Sequence, residues 1–282
     1  MTQRTQTGGN AAVIALLIFL GLPLAALLIF SFARDWGSTI LPRAFTLEYW
    51  ASVLQSPDVA AATGRSLFLT LTVSLINWAL VIPAAYISVV VAPRIRPILH
   101  AMAIVPFALP WIVIAAGTQL TVGELAPQLF GTVGLLIVVL SAVTFPYLFW
   151  AVENSLITNN AKQLAEAAQM SGAGWWQTMT TVVIPSVRAG IMSGTLLMAS
   201  AVFGEFAITR TLIGGSYETL PLWSLRMFNG RIPGLGAELA AVSFGIFALL
   251  FLVSMILTRI DSDSQPAISA VPTKTRTERG AK

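Results

Sequence analysis

Long apolar stretches alternate with short polar segments along this chain. Apolar residues dominate positions 11–32, 66–91, 98–120, 132–152, 189–209 and 237–258. A helix crosses a hydrocarbon core with about 20 mostly apolar residues, and each stretch reaches that length. The pattern predicts six transmembrane helices in an all-α integral membrane protein, with the membrane domain over residues 11–260. The first stretch follows Arg4, as a secretory signal would, but it is too long for a signal core and lacks a cleavage site. It counts as a span, preceded by a short tail over residues 1–10.

Basic residues orient the spans. With both termini inside, the inner segments hold Arg4, Arg94, Arg96, Lys162, Arg188, Arg259, Lys274, Arg276, Arg279 and Lys282, ten in all. The outer segments hold six: Arg34, Arg43, Arg65, Arg210, Arg226 and Arg231. The excess of Lys and Arg favours cytoplasmic termini and puts residues 153–188 inside. Outside, residues 45–62 read as an interfacial helix. Thr46 is its cap, and Tyr49, Trp50, Val53 and Leu54 share one face. Residues 261–282 are rich in Ser, Thr, Pro and charge and read as a disordered cytoplasmic tail.

Composition agrees. Of 282 residues, 56% are hydrophobic and 10% charged, against about 25% charged in a soluble domain, so lipid is the main solvent. Mean hydropathy is +0.80. The absence of cysteine excludes disulfides and Cys-ligated zinc, and the single histidine, His100, argues against a His-based metal centre or nucleophile. None of the three lysines follows glycine in a phosphate-binding loop, so the chain lacks that route to ATP. The net charge of +4 is too diffuse for nucleic acid.

The inner segment 154–187 carries the most specific signal. Ala at 161, 165, 167 and 168 makes a helix with a low-relief surface. Gly172 suits the left-handed turn that ends a helix, Trp175 and Trp176 are interface anchors, and Pro185 breaks the chain before the fifth span. Together Glu166-Ala167-Ala168, Gly172 and Val182-Val183-Ile184-Pro185 read Glu-Ala-Ala-x3-Gly-x9-Val-x-Ile-Pro. This resembles the cytoplasmic coupling loop of type I ABC importer permeases, Glu-Ala-Ala-x3-Gly-x9-Ile-x-Leu-Pro, with conservative changes ahead of the proline. Phe45-Thr46-Leu47-Glu48-Tyr49-Trp50, Pro83-Ala84-Ala85-Tyr86 and residues 215–222 are similar to recurrent stretches of the same permeases. They sit closest to the group serving spermidine and putrescine, ferric iron and phosphonates.

The resemblance implies a permease in a bacterial inner membrane, without covalent chemistry or a bound cofactor of its own. Its partners would be a second permease (in this group a different chain), two ATPase subunits that bind ATP and Mg, and an outer solute-binding protein. Glu166, Ala167, Ala168, Gly172 and Pro185 would couple it to the ATPases. A polyamine or another small charged solute is the expected cargo. Sugars within the same family, or proton-coupled secondary transport, are the alternatives.

Polar residues inside the spans are the candidate pathway. Glu205 lies about 25 Å along the fifth span from Arg188, a costly place for a carboxylate unless it faces a watery cavity or a partner such as Arg210. Acidic residues at this point in polyamine permeases suggest a role with cationic solutes. Asn77, Gln119, Tyr147 and Trp150 could line the path or bond between helices. Gly190, Gly194, Ala201 and Gly204 form a small-residue packing stripe. Glu124 and Glu153 read as solvated span ends and His100 as a boundary residue. Pro83, Pro106 and Pro110 read as kinks.

Overall fold

The computed structural model describes residues 2–34, 42–229 and 235–262. The expected C-terminal tail lies outside them from residue 263 onward. Helix α1 runs Thr2–Phe32, so the residues expected as an N-terminal tail form its first turns. Strands β1 (Ala33–Arg34) and β2 (Ala44–Phe45) pair antiparallel, with Ala33 opposite Phe45.

The expected interfacial helix is shorter than the sequence reading had it. Helix α2 covers Glu48–Gln55, and α3 starts at once, Pro57–Tyr86. Ser56 divides them: it is extended, its Oγ accepts the Val59 N–H at 3.4 Å, and Pro57 sits in the first turn beyond it. A capping hydroxyl followed by proline starts a new helix. The N-cap position of α2 falls on Leu47 and not on Thr46, although Thr46 Oγ1 accepts the Glu48 N–H at 3.1 Å just before the helix. Trp50 stacks on Phe32 at 5.6 Å and donates from Nε1 to Ser31 Oγ at 3.2 Å, which ties α2 to α1. Leu54, on the face read as interfacial, is exposed.

Two expected spans are broken. Helices α4 (Arg96–Ala108) and α5 (Trp111–Leu125) replace a continuous third span and meet at a 101° bend. Pro110 forces it, because the residue before a proline is driven out of the helical region and Leu109 is extended (φ −113°, ψ 135°). Pro83 and Pro106 remain inside α3 and α4. The fourth span is intact as α6 (Val133–Thr158), capped by Thr132 through the Leu135 N–H at 3.2 Å. Next come α7 (Ala161–Met170), α8 (Trp175–Gln177), a π-wound turn (Thr178–Val183) and α9 (Ile184–Ser186). Helix α10 (Arg188–Phe203) ends early, Gly204-Glu205-Phe206 interrupt the fifth span, and α11 (Ala207–Leu212) resumes it. Helices α12 (Leu220–Asn229) and α13 (Leu235–Ser262) complete the described chain.

Val13–Phe32, Pro57–Val91 and Val133–Thr158 are each long and apolar enough to cross a membrane. The bent pairs Pro93–Ala108 with Trp111–Leu125, and Trp175–Ser186 with Arg188–Phe203, bring the number to five if each pair is one span. Helix α13, of 28 residues, coincides with the sixth expected stretch.

The core lies between α3, α6 and α10, with Leu69, Val73, Leu140, Leu148, Phe149 and Met198 buried. Close approach of α10 to α6 depends on two glycines. A Cβ on Gly190 would lie 2.4 Å from Ser155 Cβ, and one on Gly194 would lie 2.8 Å from Ala151 Cβ. The packing stripe is therefore real at these two positions. Gly204 meets no such neighbour. Large apolar side chains such as Phe19, Leu71, Leu80, Leu120 and Val138 cover the exterior, as a protein dissolved in lipid requires.

Candidate functional site

The elbow between α6 and α10 is built from backbone signals that its residues supply. Asn160 takes a left-handed conformation (φ 51°), which Asn tolerates, and turns the chain out of α6 into α7. At the far end Ser171 closes α7. Gly172 follows at φ +89°, donating its N–H to Gln169 O at 2.9 Å, while the Ala173 N–H reaches Ala168 O at 3.1 Å. These two bonds form a Schellman motif, which places glycine where a side chain would be strained. The left-handed turn expected at Gly172 is present.

One face of α7 anchors the elbow and the other is free. Ala161 and Ala165 are buried where α7 packs on α6, on the π-wound turn Ile87–Val91 that ends α3, and on the turn Thr178–Val183. Trp175 sets its ring edge against Tyr86 at 5.9 Å, joining the elbow to α3 again. On the outward side Glu166 and Ala167 are exposed and Ala168 is half-buried. Met170 is 84% exposed and Trp176 64%, a large apolar area for a polar elbow. Lys162 and Glu166 lie 4.0 Å apart, both exposed, so their attraction contributes little. Pro185 does not itself break the chain. It sits in the first turn of α9, where a missing N–H is tolerated, and the 74° bend comes beyond it at Val187.

The pathway candidates do not converge on one place. Asn77 is buried and donates to Met198 Sδ at 3.2 Å, beside an apolar cavity of about 380 Å³ among α3, α4 and α6. Tyr147 and Trp150 instead hold Phe107 of α4, with ring centroids 5.5 and 5.2 Å away. A neighbouring cavity of about 570 Å³ lies among α4, α5 and α6, and Gln119 lines neither. Sequence reasoning missed Ser141, whose Oγ is buried without a partner beside the first cavity. A lone serine in an apolar run carries no periodic signal that would have found it.

Glu205 is 5% exposed and already occupied. Its carboxylate accepts the N–H groups of Ile208 and Thr209 and the Thr209 hydroxyl, the last two at 3.1 and 2.8 Å. It therefore satisfies the free amides that open α11, at the positive end of that helix, rather than pairing with Arg210. Glu153 overturns its reading as a solvated span end. It is 2% exposed, and its Oε1 accepts from Arg96 Nε at 2.7 Å and meets His100 Nε2 at 2.8 Å. His100, expected as a simple boundary residue, is part of that cluster. Glu124 is exposed, as expected.

At the opposite end from the elbow, residues 213–222 close over the start of α3. Arg65 Nη1 donates to Glu218 O at 3.1 Å, the Leu220 N–H donates to Ser66 Oγ at 2.9 Å, and Arg226 makes two bonds to the Glu218 carboxylate. Burial pushes the Tyr217 phenol up, partly offset by Arg65, which lies over its ring.

Residues 81–262, which include α6, the whole elbow and the helix that Glu205 caps, match the family described as binding-protein-dependent transport system inner membrane component. The chain belongs to this family. It is an ABC importer permease, a transport subunit of the inner membrane. The permease is 25% identical over 252 residues to the putative 2-aminoethylphosphonate transport system permease protein PhnV of Salmonella typhimurium, covering 89% of this chain and 93% of that one. It is 30% identical over 128 residues to the molybdenum transport system permease protein ModB of Escherichia coli K12, covering 44% and 55%. Its fold matches a chain from the crystal structure of a bacterial ABC transporter involved in the import of the acidic polysaccharide alginate. That match has a TM-score of 0.63 at 15% identity, over 94% of this chain and 99% of the other. At that identity the likeness concerns the fold alone. Neither named relative is a polyamine permease, so the similarity does not carry the polyamine reading.

Proposed function

We propose that this permease is one of two membrane subunits of an ATP-driven importer. It has six spans and cytoplasmic termini, two ATPase subunits seat on its elbow, and an outer binding protein supplies the solute. The observation that carries this reading is the elbow itself: a rigidly ended helix, anchored by Ala161 and Ala165, that offers Ala167, Met170 and Trp176 outward. Closure of the ATPases around ATP and Mg moves the elbow, tilts α6 and α10 with it, and opens the pathway outward. Hydrolysis returns it. For the solute we favour a small phosphonate-like or oxyanion species. The names of the relatives support this, and so does Glu205, whose carboxylate is taken up within its own chain and offers no free charge to a cation.

A cysteine placed by Ala167→Cys, in membranes where import is running, should crosslink to an ATP-hydrolysing subunit. Failure to capture one overturns the elbow assignment. Uptake by the assembled system should be displaced by excess 2-aminoethylphosphonate or molybdate. Displacement by spermidine alone overturns the solute class.

A further inference from the structure

Helix α4 has few attachments. Its main packing partner is α6, apart from the short turn that precedes it; Ile98 and Ile104 are exposed, and Met102 and Val105, also exposed, line the neighbouring cavities. Two clips hold it there. Near the bend, Phe107 lies between Tyr147 and Trp150. At the elbow end, Arg96 and His100, one turn apart on the same face of α4, both meet Glu153 Oε1, and the His100 ring stands edge-on to Phe149 at 5.5 Å. The second clip is charged and its carboxylate is buried, which makes its bonds short and directional.

The position of Glu153 is the informative part. It lies five residues before α6 ends at Thr158, about 7.5 Å along the helix, and α7 begins three residues after that end. From α4 the chain turns through the 101° bend into α5, which packs on α11, the helix capped by Glu205. A push on α7 can thus reach α5 through α6, the charged clip and α4, and α11 both through α5 and through its own contact with α6.

We infer that Glu153 is a positioning residue that makes the bent α4–α5 segment move with the elbow, so that ATP-driven motion opens the pathway. The inference rests on the elbow reading above and adds the element that carries the motion onward. Without the clip, α4 keeps its aromatic hold and the apolar packing of Leu99, Ala103 and Pro106, which can slide, and lags behind α6. The ATPases then turn over without moving solute.

The test uses the complete importer, permease with its ATPase and binding-protein partners, in liposomes. Glu153→Gln and, separately, Arg96→Gln should leave ATP hydrolysis within about twofold of the parent while solute moved per ATP falls about tenfold, the change expected for loss of one charge-assisted bond. Glu153→Asp should recover part of that ratio. Spin labels at the exposed positions 98 and 154 should report a distance that stays narrow through the ATP cycle in the parent and broadens in both glutamine variants. An unchanged ratio of solute to ATP in Arg96→Gln, with the Ala167 crosslink still forming, overturns the inference and leaves the elbow assignment standing. Absence of the crosslink in the parent removes the elbow assignment, and this inference with it. If Glu153→Gln fails to insert, Arg96→Gln decides alone, since Arg96 is half-exposed and His100 still meets the Glu153 carboxylate in that variant.

Discussion

Gly172 is the position at which the proposed coupling depends most directly on backbone geometry. At φ +89° a side chain is strained whatever space surrounds it, and nothing lies within 4 Å of where a Cβ would stand. Any loss on substitution therefore comes from the backbone and not from a clash. A residue other than Gly or Asn pays about 1–2 kcal/mol for the left-handed conformation, close to tenfold in an equilibrium constant. Two hydrogen bonds depend on that conformation, Gly172 N–H to Gln169 O and Ala173 N–H to Ala168 O. Relaxing the strain frays the last turn of α7, which carries Ala168 and Met170. Gly172→Ala should accordingly leave the protein inserted but weaken ATPase capture by about tenfold, with uptake falling alongside. Gly172→Asn, which visits the left-handed region readily, should lie much closer to the parent. Gly172→Asp adds a charge to the docking face and should uncouple hydrolysis from uptake most strongly. Co-purification of the ATPase, together with hydrolysis and uptake in liposomes, measures all three. Equal damage from Ala and Asn would falsify the conformational argument, and full activity in all three removes Gly172 from the coupling surface.

The remaining expectations are structural. Gly190→Ala drives a Cβ to 2.4 Å from Ser155 Cβ and 2.8 Å from Ala151 O, and should lower stability by about 1–3 kcal/mol, read as a fall in thermal midpoint in detergent. Gly134→Ala, whose nearest neighbour is 4.0 Å away, is the control and should leave the midpoint unchanged. Glu205→Ala removes the cap of α11 and should cost about 1–2 kcal/mol by the same measurement. Glu205→Gln keeps an acceptor oxygen and should slow uptake of every solute to a similar degree. A loss confined to cations would restore a role in the pathway for this carboxylate.

The legible part of this molecule was the part written in local pattern. The apolar stretches gave the order of the long elements, and the Gly172 turn followed from one residue type in one place. What escaped was set by contacts between distant residues. Glu153 looked like a span end because its partners, Arg96 and His100, lie more than fifty positions away and no periodicity links them. The kink read at Pro110 is present as the break at Leu109, but its size and the break at Glu205 escaped for another reason. Hydropathy averages over a window, so a span that bends and resumes reads the same as a straight one. Proline at 110 was visible, but Pro83 and Pro106, which are continuous with their helices, have the same sequence signature.

The two buried carboxylates among the described residues bear on what the permease carries. A charge held away from water is kept only where something repays its desolvation. For Glu205 that is the open end of α11, three bonds within a span of five residues, and for Glu153 it is the Arg96 guanidinium and the His100 ring on a neighbouring helix. Each is satisfied before any solute arrives. Using either to bind a cation would require breaking those bonds, uncapping α11 in one case and releasing α4 in the other. The cavities beside Asn77 and between α4 and α5 are lined almost wholly by apolar side chains, with Asn77, Ser141 and Thr118 as the polar exceptions, and all three are uncharged. Amide and hydroxyl groups can donate to an oxyanion without the cost of a competing fixed charge. Neither carboxylate is free to take a cation as the chain stands, and the polar groups that line the two cavities are neutral.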